Sequence, residues 1–141
     1  MLRLVLDTAV VVAAFRSRLG GSNRLLQAVA RGEAVALVTT ALFLEYEDVL
    51  QRPEQRAATG LDAGATDQVL AALAAVLRPV EVHFRWRPQL ADPADEMVLE
   101  AAINGAADAI VTFNRRHFAG RVERFSLAVM DPGETLRRIG V

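Results

Sequence analysis

The chain has 141 residues, 52% apolar and 23% charged, with 16 basic against 17 acidic groups, a balance that suits one globular domain over 1–141 with a sizeable core. It contains no cysteine and no lysine, every basic residue being arginine, so disulfide frameworks, thiolate metal sites, Schiff-base chemistry and a P-loop lysine are excluded. The net charge of −1 argues against a broad basic surface, so a nucleic-acid partner requires a local arginine patch.

In chain order, residues 2–6 form a short apolar run ending at Asp7-Thr8, read as a buried strand. An apolar stretch to Phe15 follows as a helix. Ser22 is the expected cap of a second helix over 23–31, with Gly32 as its stop. Residues 34–38 read as strand two, and Thr39 or Thr40 opens a helix to Leu50 that closes before Pro53. The polar stretch 53–65, with Gly60 and Gly64, reads as loop, and a helix over about 66–77 ends at Pro79. The alternation at 80–84 predicts a third strand, and two prolines and Trp86 make 85–93 a loop. A helix over 94–106, strand four at 109–112, a turn or short helix at 114–118, strand five at 127–130 and a helix from Pro132 to Ile139 complete the chain. This alternation predicts a parallel sheet covered by helices. No apolar run reaches the roughly 18 residues of a membrane span, which makes a cytoplasmic protein without membrane contact the expectation.

Ligands of an open parallel sheet collect outside the carboxyl ends of its strands. Asp7 follows strand one, Asp92 and Asp95 open the helix before strand four, and Asn114 and His117 follow strand four. Glu45 stands about a turn into the helix after strand two, on a face able to turn toward the same crevice. Clustered carboxylates repel unless a cation sits among them, and oxygen-rich sets suit Mg²⁺ or Mn²⁺. Phosphodiester hydrolysis is the reaction such a site fits best. Each acid also has an ordinary reading: Asp7 and Asp92 as helix caps, Glu47 and Asp48 as dipole-compensating surface acids, Glu96 and Glu100 as solvent-facing. For His117 the ordinary reading is a turn residue beside a core anchor, Phe118; for His83 it is a solvent-facing or interface position in a strand.

Four segments carry a resemblance: 4–8 (LVLDT), 44–53 (LEYEDVLQRP), 92–102 (DPADEMVLEAA) and 111–118 (VTFNRRHF). In this order and spacing the chain resembles the PIN-domain family, and more narrowly its VapC-like toxins of bacterial type II toxin-antitoxin systems. The resemblance implies a three-layer α/β/α sandwich around a central, mostly parallel five-stranded sheet, and a Mg²⁺- or Mn²⁺-dependent endoribonuclease acting on single-stranded RNA. It places the catalytic acids at Asp7, Glu45 and Asp95. Asp92 is a further metal-site acid, and Thr8, Thr112, Asn114 and His117 stand in support. It also implies a small antitoxin protein as partner and a homodimer.

Two positions depart from that pattern. Ala9 stands where the family usually has asparagine, and the fourth motif offers Asn114 and His117 where an aspartate is common. Imidazole is the softer ligand, better matched to Mn²⁺ or Zn²⁺ than to Mg²⁺. RNA binding is expected from Arg16, Arg115 and Arg116, with Arg18, Arg121 and Arg124 nearby, because guanidinium groups grip phosphates bidentately. The ordinary reading of each is solvated surface, and Trp86 reads as a packing residue at a subunit or core boundary. The alternative function is a degenerate PIN domain that binds RNA or protein without cleaving. A receiver-type phosphoacceptor and a haloacid-dehalogenase-like phosphatase rank behind, since each needs a lysine.

Overall fold

The computed structural model describes residues 1–85 and 89–141; Trp86 lies outside them. β1 (Arg3–Leu6), β2 (Val35–Val38), β3 (Arg78–Pro79), β4 (Ala109–Val111) and β5 (Ala128–Met130) form one all-parallel sheet in the order β3-β2-β1-β4-β5. Seven helices accompany it among the described residues: α1 (Thr8–Arg16), α2 (Gly21–Ala30), α3 (Thr40–Leu50), α4 (Pro53–Thr59), α5 (Ala63–Val76), α6 (Pro93–Asn104) and α7 (Pro132–Ile139). This is the expected α/β/α arrangement, with the sheet wholly parallel. None of these helices is long and apolar enough to cross a membrane.

The strands are short and buried because helices cover both faces. Leu4, Val5, Leu37, Ile110 and Val111 have no measurable exposure, and α6 contributes Val98, Leu99, Ala101 and Ala102 to the same core. On α3, Leu42, Tyr46 and Leu50 recur at intervals of four and form its buried stripe. Tyr46 donates its hydroxyl to the Leu6 carbonyl oxygen at 2.5 Å, at the end of β1. Burial pushes the Tyr46 phenol well above its usual range, and the Asp7 charge adds to this, so the hydroxyl stays a donor.

Three local expectations need correction. The stretch 53–59 is helical: Pro53 sits in the first turn, Glu54 to Ala58 are tolerant of helix, and Gly60 closes α4 with φ at 77°. No residue of α4 is buried, so it lacks the apolar stripe by which a helix is read from sequence. The third strand lies at Arg78–Pro79, and 80–84 has no regular structure. β2 ends at Val38, and after the Val80 N–H has reached Val38 O at 2.8 Å no strand remains to pair with. The backbone instead turns to Asn104, whose Oδ1 accepts from His83 N and Phe84 N at 2.7 Å each. Finally, α2 starts at Gly21 with Gly20 as its N-cap, so Ser22 lies inside the helix.

Candidate active site

The chain runs from β1 outward through β2 to β3, then returns to place β4 on the other side of β1. The crevice between the carboxyl ends of β1 and β4 is therefore the topological switch point, where ligands of such sheets bind. Asp7 ends β1 and Thr112 ends β4. The Asp7 N–H donates to Val111 O at 2.9 Å, and the Thr112 hydroxyl donates to Asp7 Oδ2 at 2.7 Å. Asp7 occupies the N-cap position of α1 without making a side-chain cap bond, so the cap reading does not account for its carboxylate. Thr112 Oγ1 also accepts from Asn114 N at 3.0 Å, which ties the following loop to the same point.

Asp95 reaches the crevice from the first turn of α6. It is 7% exposed, beside an Asp7 that is 8% exposed. Burial raises the Asp7 carboxyl above its ordinary value, Thr112 and the Thr8 N–H pull it back, and the Asp92 charge adds to the rise. Asp95 is raised by burial first and by the Asp7 charge second, with His117 opposing. His117 Nδ1 lies 3.0 Å from Asp95 Oδ2. The Asp7 charge raises Asp95, and each carboxylate has a side-chain donor, Thr112 on Asp7 and His117 on Asp95, so the pair is poised to take up positive charge.

A cavity of about 540 Å³ opens over Asp95, lined also by Asp92, Pro93, Arg116, His117 and Arg121. Asp92 has two attachments: its Oδ1 caps α6 by accepting from Ala94 N at 2.9 Å, and its charge is felt by both Asp7 and Asp95. The cap reading of Asp92 and its place at the site therefore hold together. His117 likewise combines both readings, since it is exposed in a 3₁₀ turn (Arg115–His117) while Phe118 beside it is wholly buried.

The other candidates have surroundings of their own. Glu45 is half-buried on α3, a step off the stripe of Leu42, Tyr46 and Leu50, and Arg52 is the group that feels its charge. Arg16 ends α1, whose nine residues put about 13 Å of helix between it and Asp7, and its guanidinium donates to Gln55 Oε1 at 3.0 Å. Arg115 is paired with Glu134 and lies 3.7 Å from Asp131. Arg116 lines the cavity as expected. Ala9 is exposed. Thr8 Oγ1 is buried with no hydrogen-bond partner.

Sequence reasoning undervalued two residues. Arg121 lines the cavity and donates to the Gln89 carbonyl at 3.0 Å. Glu96, read as solvent-facing, is half-buried and accepts from the N–H groups of Gln89 and Leu90, tying that turn to α6. The signal was available in its place one turn from Asp92, but its partners come from a loop whose path no periodicity reveals.

The donor chemistry suits a hard divalent cation: two buried carboxylates, and an orphaned hydroxyl on Thr8 beside Asp7, with Asp92 contributing charge rather than a grouped ligand. Among the described residues no three acids or histidines gather as a metal-holding group. Mg²⁺ accepts such a site, since it keeps several waters and commonly takes one or two carboxylates with the remaining positions left to substrate phosphate.

An open parallel sheet with paired acids at its switch point and arginines across the adjoining cavity defines an α/β protein of nuclease type. The PIN domain family model matches residues 3–116, so the chain belongs to the PIN domain family. PIN domains are generally nucleases and generally use divalent metals. No curated protein matches the chain.

Proposed function

We propose that the chain is a metal-dependent endoribonuclease that hydrolyses phosphodiester bonds in single-stranded RNA. The observation that carries this reading is the pair Asp7 and Asp95, both buried at the β1/β4 switch point, with the Thr112 hydroxyl on one carboxylate and His117 on the other. When bound, Mg²⁺ or Mn²⁺ supplies Lewis acidity toward the phosphodiester and lowers the pKa of the attacking water. The chain's own contribution is position. Thr112 fixes one oxygen of Asp7, His117 fixes one oxygen of Asp95, and the two carboxylates hold the cation. Asp92 adds negative charge at the cavity, and Glu45 is the third catalytic acid of this reading. Arg116 and Arg121 face the same cavity, where guanidinium donors steady the charge that develops on the non-bridging oxygens.

The finer assignment is the toxin of a toxin-antitoxin pair, acting in the cytoplasm, with a small antitoxin protein and a second copy of the chain as partners. It is supported by the four-motif resemblance alone. A second reading, RNA or protein binding without cleavage, is favoured by Ala9 and by the lack of a three-ligand group among the described residues. RNA cleavage measured with Mg²⁺, Mn²⁺ and EDTA in parallel separates the two. We expect cleavage with metal, none with EDTA, and a loss of about three orders of magnitude or more in Asp7→Asn and Asp95→Asn. Equal cleavage by wild type and both folded variants refutes the site. RNA binding with no cleavage in any metal establishes the second reading.

A further inference from the structure

A second cavity, about 370 Å³, opens one residue beyond Thr112. Its walls include the Phe113 ring, the start of α2 at Gly20, Gly21 and Ser22, and the start of α7 at Asp131 and Pro132. The two helix starts differ. At α7, Asp131 Oδ1 accepts from Glu134 N at 2.8 Å, and Asp131 Oδ2 lies 3.7 Å from Arg115, so both the dipole and the acid have partners. At α2 the N-cap is glycine, there is no side-chain cap bond, and no acid stands in the first turn. The first N–H taken up within that helix is Arg24, by Gly20 O at 3.1 Å. The N–H groups of Gly21, Ser22 and Asn23 therefore stand at the positive end of a ten-residue helix without a counter-charge.

A second observation points to a ligand. Ser22 is only 6% exposed and lines the cavity. Its hydroxyl stands at the cavity wall beside these N–H groups, a further donor for a group seated there. Phe113 is 51% exposed, a large apolar ring presented at the mouth, as base-stacking platforms are. Arg137 Nη1 lies 3.5 Å from where a Cβ on Gly133 would stand, so a guanidinium also flanks this wall.

We propose that this cavity is a second phosphate subsite for the RNA strand: a backbone phosphate rests on the uncapped start of α2 with the Ser22 hydroxyl as donor, and the adjoining base stacks on Phe113. The strand thus runs from the acid pair across residue 113 into the cavity. The inference rests on the nuclease reading of that pair, since it extends the path of the same substrate.

Gly20→Asp tests it. The backbone at Gly20, φ −74° and ψ 162°, suits an N-cap aspartate, and an added Cβ meets nothing closer than Ser17 Oγ at 3.3 Å. The new carboxylate caps the free N–H groups from within, so Tm is expected to hold or rise while negative charge fills the place of the phosphate. Binding is measured by fluorescence anisotropy with a labelled single-stranded RNA of about twelve nucleotides, in an Asp7→Asn background that prevents cleavage. We expect Gly20→Asp to weaken binding about tenfold, the worth of a lost charge-assisted hydrogen bond, and Phe113→Ala to weaken it as well. Unchanged affinity in both variants overturns the subsite, as does a parent chain that fails to bind the RNA. Cleavage by the chain with Asp7 intact is scored separately. If binding responds to Gly20→Asp but no Asp7-dependent cleavage occurs, the subsite stands and the nuclease reading falls.

Discussion

Thr112→Val removes a hydroxyl while keeping the shape of the side chain, and two hydrogen bonds go with it. The first is the 2.7 Å donation to Asp7 Oδ2, and the second is the 3.0 Å acceptance from Asn114 N. A hydrogen bond to a buried carboxylate is worth about 1.5–3 kcal/mol, and the neutral one about 1 kcal/mol. The expected destabilisation near neutral pH is therefore about 3 kcal/mol, or roughly 9 °C in Tm for a chain of this size. The pH dependence carries the sign. Burial already raises the folded-state Asp7 value above the unfolded one, and Thr112 opposes that rise; the valine variant raises it further. A raised carboxyl binds more protons folded than unfolded, so its contribution to stability falls as pH climbs from the unfolded value through the folded one. The deficit of Thr112→Val should thus be largest above the folded Asp7 value and shrink toward about 1 kcal/mol below the ordinary carboxylate range, where Asp7 is neutral in both states. Urea denaturation across that pH range measures it. Thr112→Ser, which keeps the hydroxyl, and Thr112→Val in an Asp7→Asn background serve as controls. A deficit independent of pH, or undiminished in the Asp7→Asn background, refutes the assignment of Thr112 as the donor that opposes the rise at Asp7.

Two further predictions concern the frame around the site. Gly105→Ala places a Cβ 2.7 Å from Leu37 Cδ1, 3.0 Å from Ala101 O and 3.1 Å from Val80 Cγ2; such overpacking costs about 1–3 kcal/mol, read as a lower urea midpoint, and an unchanged midpoint refutes the close approach of α6 to the sheet. Tyr46→Phe leaves the Leu6 carbonyl without its 2.5 Å donor, an expected loss of about 1–3 kcal/mol by thermal denaturation, with Asp7-dependent activity falling alongside because the end of β1 is no longer held.

Much of the site was readable because its acids are placed by local rules. A carboxylate after a short apolar strand and another in a Pro-headed first turn of a helix must stand at the carboxyl edge of a parallel sheet, whatever the details of packing. Asp7, Asp92 and Asp95 were singled out on that basis. Glu45 shows the limit: the spacing puts it on α3, half-buried on the flank of the stripe of Leu42, Tyr46 and Leu50, and no local rule fixes how that flank meets the crevice. Arg16 and Arg115 show another, since nearness in sequence to the site says nothing of the partners, Gln55 and Glu134, that each guanidinium meets. The helix α4 and the displaced β3 were missed for opposite reasons, one having no buried face to betray it and the other an alternation with no strand left to pair with.

The amino-acid sequence by itself determined the α/β alternation, the absence of thiol and amine chemistry, and the acids that mark a strand-end site, because periodicity, caps and composition are local properties. Only the tertiary structure decided which acids pair, that Thr112 and His117 steady them, and that Ser22 and Phe113 share a cavity beside the site. Those are contacts between residues far apart in the chain. Asp7 and Thr112 are 105 positions apart, and what joins them is the return of β4 to the side of β1 opposite β2.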